Sequence, residues 1–205
     1  MGAADALSNI LAALLPAQVI GGVEEIESGN EAMLSSAELA AMPESVNRQR
    51  ASGSARGIAR RLLARMGCPG TDILWLPNGA PAWPPGFMGS LAHDKLMAVG
   101  TIARSAEFSG IGIDVEAAEP LDDEVIQVVA SRSEQQQFCR SPIDGKLLFS
   151  IKEAVFKAVN PTDRVFLEFH DVMVDGDAMT AETRYGRMVH WRAGTRPRIL
   201  AIAWW

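Results

Sequence analysis

Hydrophobic and polar positions alternate with two clear periods along this chain. In Gly145–Pro161, residues Leu147, Leu148, Ile151, Ala154, Val155, Ala158 and Val159 share one arc at helical spacing. The pattern predicts one helix, entered after Gly145 and stopped at Pro161. Glu153 and Lys157 fall on its far side with Ser150 beside them, and Phe149 and Phe156 lie between the two arcs. In Gly110–Glu116 the period is two: Ile111, Ile113 and Val115 face one way, Gly112, Asp114 and Glu116 the other, as on a strand. A further helical stripe, Ile58, Leu62, Leu63 and Met66, brings Arg56 and Arg60 together on a second face.

The other elements are read in the same way. Residues 1–47 give a helix near Ala4–Leu15, a strand near Gln18–Ile26 and a helix opened by Ser35 or Ser36, with Glu38 completing a capping box from Ser35. Asp72–Leu76 reads as a short strand, Pro77–Ser90 as a fixed turn-rich loop, and Leu96–Ala103 as a strand. A helix follows at Asp122–Ala130, and Ser133-Glu134 opens another. Strands are expected at Val165–Phe169, Val172–Val174, Met188–Arg192 and Ile199–Trp205, with Phe166, Trp191, Trp204 and Trp205 in packing roles.

The chain has 205 residues, 48% hydrophobic and 21% charged, enough for one good-sized core or two small lobes. A net charge of −6 argues against a general nucleic-acid or anionic-membrane binder. Cys68 and Cys139 lack metal-ligand spacing and read as ordinary thiols of a reducing compartment, and three scattered histidines make a zinc site improbable. Ile10–Ala17 lacks the basic flank of a signal peptide, because the first basic residue is Arg48; a cytoplasmic protein is expected.

Charge is divided unevenly along the chain. Residues 1–47 carry acids but no Lys or Arg, whereas Arg48–Met66 holds Arg48, Arg50, Arg56, Arg60, Arg61 and Arg65 and no acid. Such an island either binds a phosphorylated ligand, which guanidinium groups suit, or is a solvated basic face. Asp114 and Glu116, roughly 6–7 Å apart at Cα on one strand face, either hold a hard divalent cation or form the charged face of an edge strand. Gly112 beside them leaves room for a ligand. Glu153 and Lys157 are either an ordinary helix pair or functional groups.

Taken together, these residues resemble the 4′-phosphopantetheinyl transferases of the surfactin and enterobactin type. The GIDxE motif appears as Gly112-Ile113-Asp114-Val115-Glu116, and the (F/W)SxKEAxxKA motif runs from Phe149 to Ala158. The enterobactin-type loop WPxGxxGSxxH is matched by Trp83-Pro84-Pro85-Gly86, Gly89-Ser90 and His93, and the Phe-Leu-x-Phe-x-Asp-Val pattern by Phe166 to Val172. The resemblance runs from about Arg48 to the C-terminus, in order.

It implies an α+β fold of two similar lobes related by a pseudo-twofold, residues 1–105 and 106–205, with coenzyme A in the cleft between them. It implies transfer of phosphopantetheine from coenzyme A to a serine of an acyl or peptidyl carrier protein, releasing adenosine 3′,5′-bisphosphate. Asp114, Glu116 and Glu153 would hold Mg²⁺ (Mn²⁺ being the alternative), and Glu153 would take the serine proton, directly or through water. Lys157 would neutralise the leaving group with Lys152 nearby. Arg48 and Arg56 would hold the 3′-phosphate, and Ser90 and His93, with Asp114, the rest of the coenzyme. A monomer follows from one cleft in one chain, and the loop type points to siderophore, non-ribosomal peptide or polyketide synthesis. The pattern is broken by Ala92 where Ser or Thr usually precedes the histidine, by Asp94, by Ala51-Ser52 in place of Glu-Phe, and by the lack of lysine in 70–78. The rival reading is a coenzyme- or carrier-binding homologue that no longer turns over.

Overall fold

The computed structural model describes residues 2–138, 141 and 143–205; Cys139 lies outside the described residues. Contacts divide the chain into two compact units, Met1–Phe108 and Ser109–Trp205. In each, a 20-residue helix lies against an antiparallel sheet, so the expected α+β class holds.

The N-terminal unit contains α1 (Ala3–Leu14), β1 (Ile20–Glu25), a 3₁₀ turn at Asn30–Met33, α2 (Ser36–Ala40), α3 (Val46–Arg65), β2 (Phe87–His93) and β3 (Met97–Arg104). The strands form a sheet in the order β1-β3-β2. Helix α3 buries Ile58, Leu62 and Leu63 against Ile73, Ala98 and Ile102, the stripe that the periodicity predicts. Its basic face is only partly solvated: Arg48, Arg61 and Arg65 are exposed, while Arg50, Arg56 and Arg60 are covered to differing degrees. The acids of the preceding segment fold onto it: Glu31 pairs with Arg50 at 3.0 Å, Glu24 with Arg61, and Glu38 with Arg60. Glu38 completes the capping box with Ser35, accepting its N–H at 2.9 Å, and also accepts Arg60 Nη1 at 2.8 and 2.9 Å and the Ile73 N–H at 2.7 Å. A fully buried carboxylate with this many donors is satisfied rather than stranded.

Two expectations fail in this unit. Asp72–Leu76 is not a strand, because its pairing stops at a single bridge, Trp75 to Pro81, flanked by the bonds of Leu74 to Ala82 and Leu76 to Ala80. The turn-rich stretch ends earlier than its Pro and Gly content suggests, since Phe87 already pairs with Arg104 of β3.

The C-terminal unit contains β4 (Ile111–Glu116), α4 (Asp123–Val129), α5 (Arg132–Phe138), α6 (Asp144–Asp163), a 3₁₀ turn at Phe169–Asp171, β5 (Val172–Asp175), β6 (Thr180–Thr183), β7 (Met188–Gly194) and β8 (Ile199–Trp204). The sheet order β4-β8-β7-β6-β5 pairs the unit's first strand with its last. Val165–Phe169 is irregular rather than extended, and β6 goes unanticipated. Phe166 is 73% exposed, against the packing role expected of it, while Trp191 is buried. Helix α6 runs through Pro161 for one more turn. Only the missing N–H of residue 161 is lost, and the turn is pinned by Thr162 Oγ1 donating to the Ser109 carbonyl and by the Asp163–Arg187 pair. Among the described residues no helix is long and apolar enough to cross a membrane.

Gly112 decides how closely α6 approaches the sheet. A Cβ there would stand 1.8 Å from the Ala154 carbonyl oxygen and 2.6 Å from the Ala158 nitrogen. The space expected to admit a ligand is therefore filled by the helix backbone. Opposite Gly112 and Asp114 on β8 stand Ala203 and Ala201, so the surface under the helix is nearly flat. Gly112→Ala is expected to destabilise the protein by about 3 kcal/mol or more, because a backbone overlap cannot be relieved by changing a rotamer. Urea denaturation measures it; a loss below about 1 kcal/mol would mean that the helix shifts freely.

Candidate active site

Flattening the sheet beneath α6 brings that helix's polar side chains to Asp114. The buried Asp114 carboxylate accepts Ser150 Oγ–H at 2.9 Å through Oδ2 and the Lys157 ammonium at 2.6 Å through Oδ1. Ser150, read from the sequence as lying on the far side of the helix, is thus fully buried and faces β4. Glu116, two residues along the strand, pairs with Lys146 of the first turn of α6 at 2.9 Å. Lys146 was not singled out by the sequence; its signal is its place on α6 two turns before Glu153.

Glu153 is half-buried, and its carboxyl is pushed above the ordinary range. Burial is the largest cause. The Lys157 charge opposes it, and the negative charges of Asp114 and Glu116 add to it. Lys157 faces Asp114 rather than closing an i,i+4 pair with Glu153, and so does not cancel the cost of burial.

Lys152, which the resemblance sets near the coenzyme, lines a cavity beside Glu153 but directs its ammonium into the core. It is 1% exposed, and its ammonium donates at 2.8–2.9 Å to Glu134 and to the carbonyls of Val129 and Phe169. All three of its N–H donors are used inside the core, which leaves none for a coenzyme. Beside it lies a cavity of about 400 Å³, lined by Glu153, Phe156, Phe166, Leu167 and Phe169 among others.

In the N-terminal unit, Arg48, Arg56 and His93 line one cavity of about 500 Å³, with Ser52 and Trp75 in its wall. Arg48 and His93 also line a neighbouring cavity of about 490 Å³ with Arg50, Asp94 and Lys95. Arg56 is buried. Its Nε–H donates to the Ile73 carbonyl at 2.8 Å and its Nη1 to Ser52 Oγ at 2.5 Å, and the guanidinium stacks 3.8 Å from the centre of the Trp75 ring. Burial brings its pKa down to about 10, with Glu38 opposing. Ser52, noted as a departure, thus holds an arginine in place, and Trp75 is a cavity residue that the sequence reading missed. Arg48 has no ion pair among the described residues. Asp94 Oδ1 accepts the N–H groups of Leu96 and Met97, so its charge closes the β2–β3 turn. Ser90 is buried in mid-strand opposite Thr101.

Whether the acidic cluster suits a divalent cation follows from its donors. As the side chains stand, no three of the described His, Cys, Asp and Glu residues are gathered into a metal cage. The set is nonetheless all carboxylate oxygen, the preference of Mg²⁺. Two of its members hold lysine ammonium groups, and Glu153 lies buried among like charges. A dication would relieve that repulsion, so the residues fit one.

Comparison with known proteins gives two matches along the chain. Residues 37–103 match the 4′-phosphopantetheinyl transferase N-terminal domain, and residues 110–203 match the 4′-phosphopantetheinyl transferase superfamily. The chain is 37% identical over 137 residues to the 4′-phosphopantetheinyl transferase Svp of Streptomyces mobaraensis, covering 63% of this chain and 56% of that protein. It is 30% identical to PptT of Mycobacterium tuberculosis and 33% identical to Npt of Nocardia iowensis, each over 123 residues and 58% of this chain, and over 54% and 55% of those proteins. The chain thus spans about half the length of the curated relatives it matches.

A carboxyl with a raised folded pKa binds protons more readily when folded. Stability therefore falls as pH rises from the unfolded value, near 4.5, through the folded one. Glu153→Gln removes that loss. In metal-free buffer the variant is expected to be more stable than wild type at pH 7, with the difference closing below about pH 4. Urea midpoints at the two pH values test this, and a variant less stable at pH 7 would overturn it.

Proposed function

Since the chain belongs to the 4′-phosphopantetheinyl transferase superfamily, we propose that it transfers the phosphopantetheine arm of coenzyme A to a serine of an apo acyl or peptidyl carrier protein. The observation that carries this reading is the Asp114, Glu116, Glu153 and Lys157 cluster built on β4 and α6. In the reaction the serine oxygen bonds to the phosphorus bearing the pantetheine. The bond from that phosphorus to the bridging oxygen breaks, and adenosine 3′,5′-bisphosphate leaves.

Asp114, Glu116 and Glu153 would hold Mg²⁺, which when bound supplies charge neutralisation at the pyrophosphate. Glu153 accepts the serine proton, directly or through one water, and does so by its position rather than its basicity, because a bound dication would bring its pKa back down. Asp114, fixed by Ser150, keeps the Lys157 ammonium close to the departing phosphate, where positive charge counts most. The cavity between Glu153 and Phe166 offers apolar walls for the pantetheine arm. Arg48, with His93, is our choice for the 3′-phosphate, because Arg48 is exposed and has no ion pair among the described residues, whereas Arg56 is buried with two of its donors held by Ile73 and Ser52. The Trp83–His93 motif, which runs from a turn into β2, favours carriers of siderophore, non-ribosomal peptide or polyketide synthesis.

Incubating an apo carrier protein with this protein, coenzyme A and Mg²⁺ is expected to add one phosphopantetheine to its intact mass, and EDTA to prevent the gain. Asp114→Ala is expected to abolish the gain in a folded protein. No gain across several carrier types would remove the reading. Arg48→Ala is expected to raise the KM for coenzyme A about tenfold or more, the value of a charge-assisted bond to phosphate, with little change in kcat. An equal rise with dephospho-coenzyme A as donor would show that Arg48 does not read the 3′-phosphate.

A further inference from the structure

We propose that Glu134 is a positioning residue for the transfer: through Lys152 it fixes the chain segments that wall the cavity beside Glu153. The inference rests on the function given above. It begins with three acceptors, the Val129 carbonyl, the Phe169 carbonyl and Glu134 Oε2, converging on one buried point. Among side chains, only an ammonium brings three donors and no acceptor to such a point.

Glu134 supplies the charge that keeps the ammonium there, and each member of the pair is 1% exposed. The carboxylate is itself tied at both oxygens. Oε1 accepts the Val174 N–H at 3.0 Å, and Oε2 accepts the Ser131 N–H at 2.9 Å in a capping box at the start of α5.

The partners of the pair run along the cavity wall. Val129 follows Val128, Lys152 precedes Glu153, Phe169 is itself in the lining, and Val174 lies two residues beyond Val172; Val128, Glu153, Phe169 and Val172 all face the cavity. The irregular segment 164–168, which carries Phe166 and Leu167, has no strand pairing to hold it; Asn160 Nδ2 donates to the Val165 carbonyl near its start, the Glu168 N–H donates to Asp171, and the Phe169–Lys152 bond ties its far end to the core. A buried ion pair placed only for stability could be exchanged for apolar groups at little cost. This one also tethers the carbonyl next to the wall, which an apolar pair cannot do.

The experiment compares wild type, Glu134→Gln, the double variant Glu134→Gln/Lys152→Met, and Val189→Ala, a core truncation on β7 outside the cavity lining. Unfolding curves give the folded fraction, and kcat and the KM for coenzyme A are referred to it. Val189→Ala is expected to lose stability but keep kcat per folded molecule. Glu134→Gln is expected to lose stability and about tenfold or more in kcat, with the KM for coenzyme A changed by no more than about twofold. The double variant is expected to regain stability but not kcat.

Recovery of both in the double variant, or wild-type kcat in Glu134→Gln, overturns the proposal. Should Glu134→Gln not fold, the double variant, which buries no charge, carries the same comparison. A wild-type protein that transfers nothing fails the functional reading instead, and is seen as such before any variant is made.

Discussion

Helix α6 can lie against β4 because residue 112 has only a hydrogen where any other side chain would put a carbon 1.8 Å from the Ala154 carbonyl oxygen. That approach puts Ser150 and Lys157 within hydrogen-bonding reach of Asp114, and Glu153 on the same helix within its electrostatic field. The alanines at 201 and 203 extend the flat patch onto β8. A residue that contributes no functional group therefore sets the geometry of those that do. Ser150 and Lys152 on the same helix are both buried and bond to protein groups rather than water, Ser150 to Asp114 and Lys152 to Glu134 and the carbonyls of Val129 and Phe169.

Charge is arranged by a different rule in each unit. In the first, acids and arginines that are segregated along the chain meet in space, and Glu38 gathers Arg60, Ile73 and Ser35 around one buried carboxylate. The pairs consume most of the arginine charge and leave Arg48 beside His93 in the cavity wall. In the second, like charges are brought together: Asp114, Glu116 and Glu153 share one region with lysines as their counter-ions. One arrangement stabilises the fold, and the other stores electrostatic tension that a cation would release.

What the sequence revealed follows from the range of each interaction. Helix α6, the basic helix and the alternation of β4 are local patterns, and all three were legible from residue spacing. Asp72–Leu76 and Val165–Phe169 have the apolar content of strands, yet a strand exists only through its partner, which local pattern does not supply. Strand β6, with the polar residues Thr180, Glu182 and Thr183 around Ala181, shows the converse: its partners on β5 and β7 make it a strand. Pro161 reads as a stop because local rules do not see Ser109 and Arg187 holding the last turn. Asp114, Glu116, Glu153 and Lys157 stood out by spacing and by motif. Glu134, 18 residues before Lys152, carried no such mark, and neither did the burial of Arg56.

The ring of Phe166 stands in water at the lip of the cavity, edge-on to Phe156 with 5.9 Å between ring centres. Aromatic surface held in solvent orders the water around it and raises the heat capacity of the free protein. A ligand that covers the ring releases that water, so occupancy of this cavity carries a negative heat-capacity change. The enthalpy of binding here then grows more favourable with temperature, which makes the site legible to a calorimeter even when no chemistry takes place.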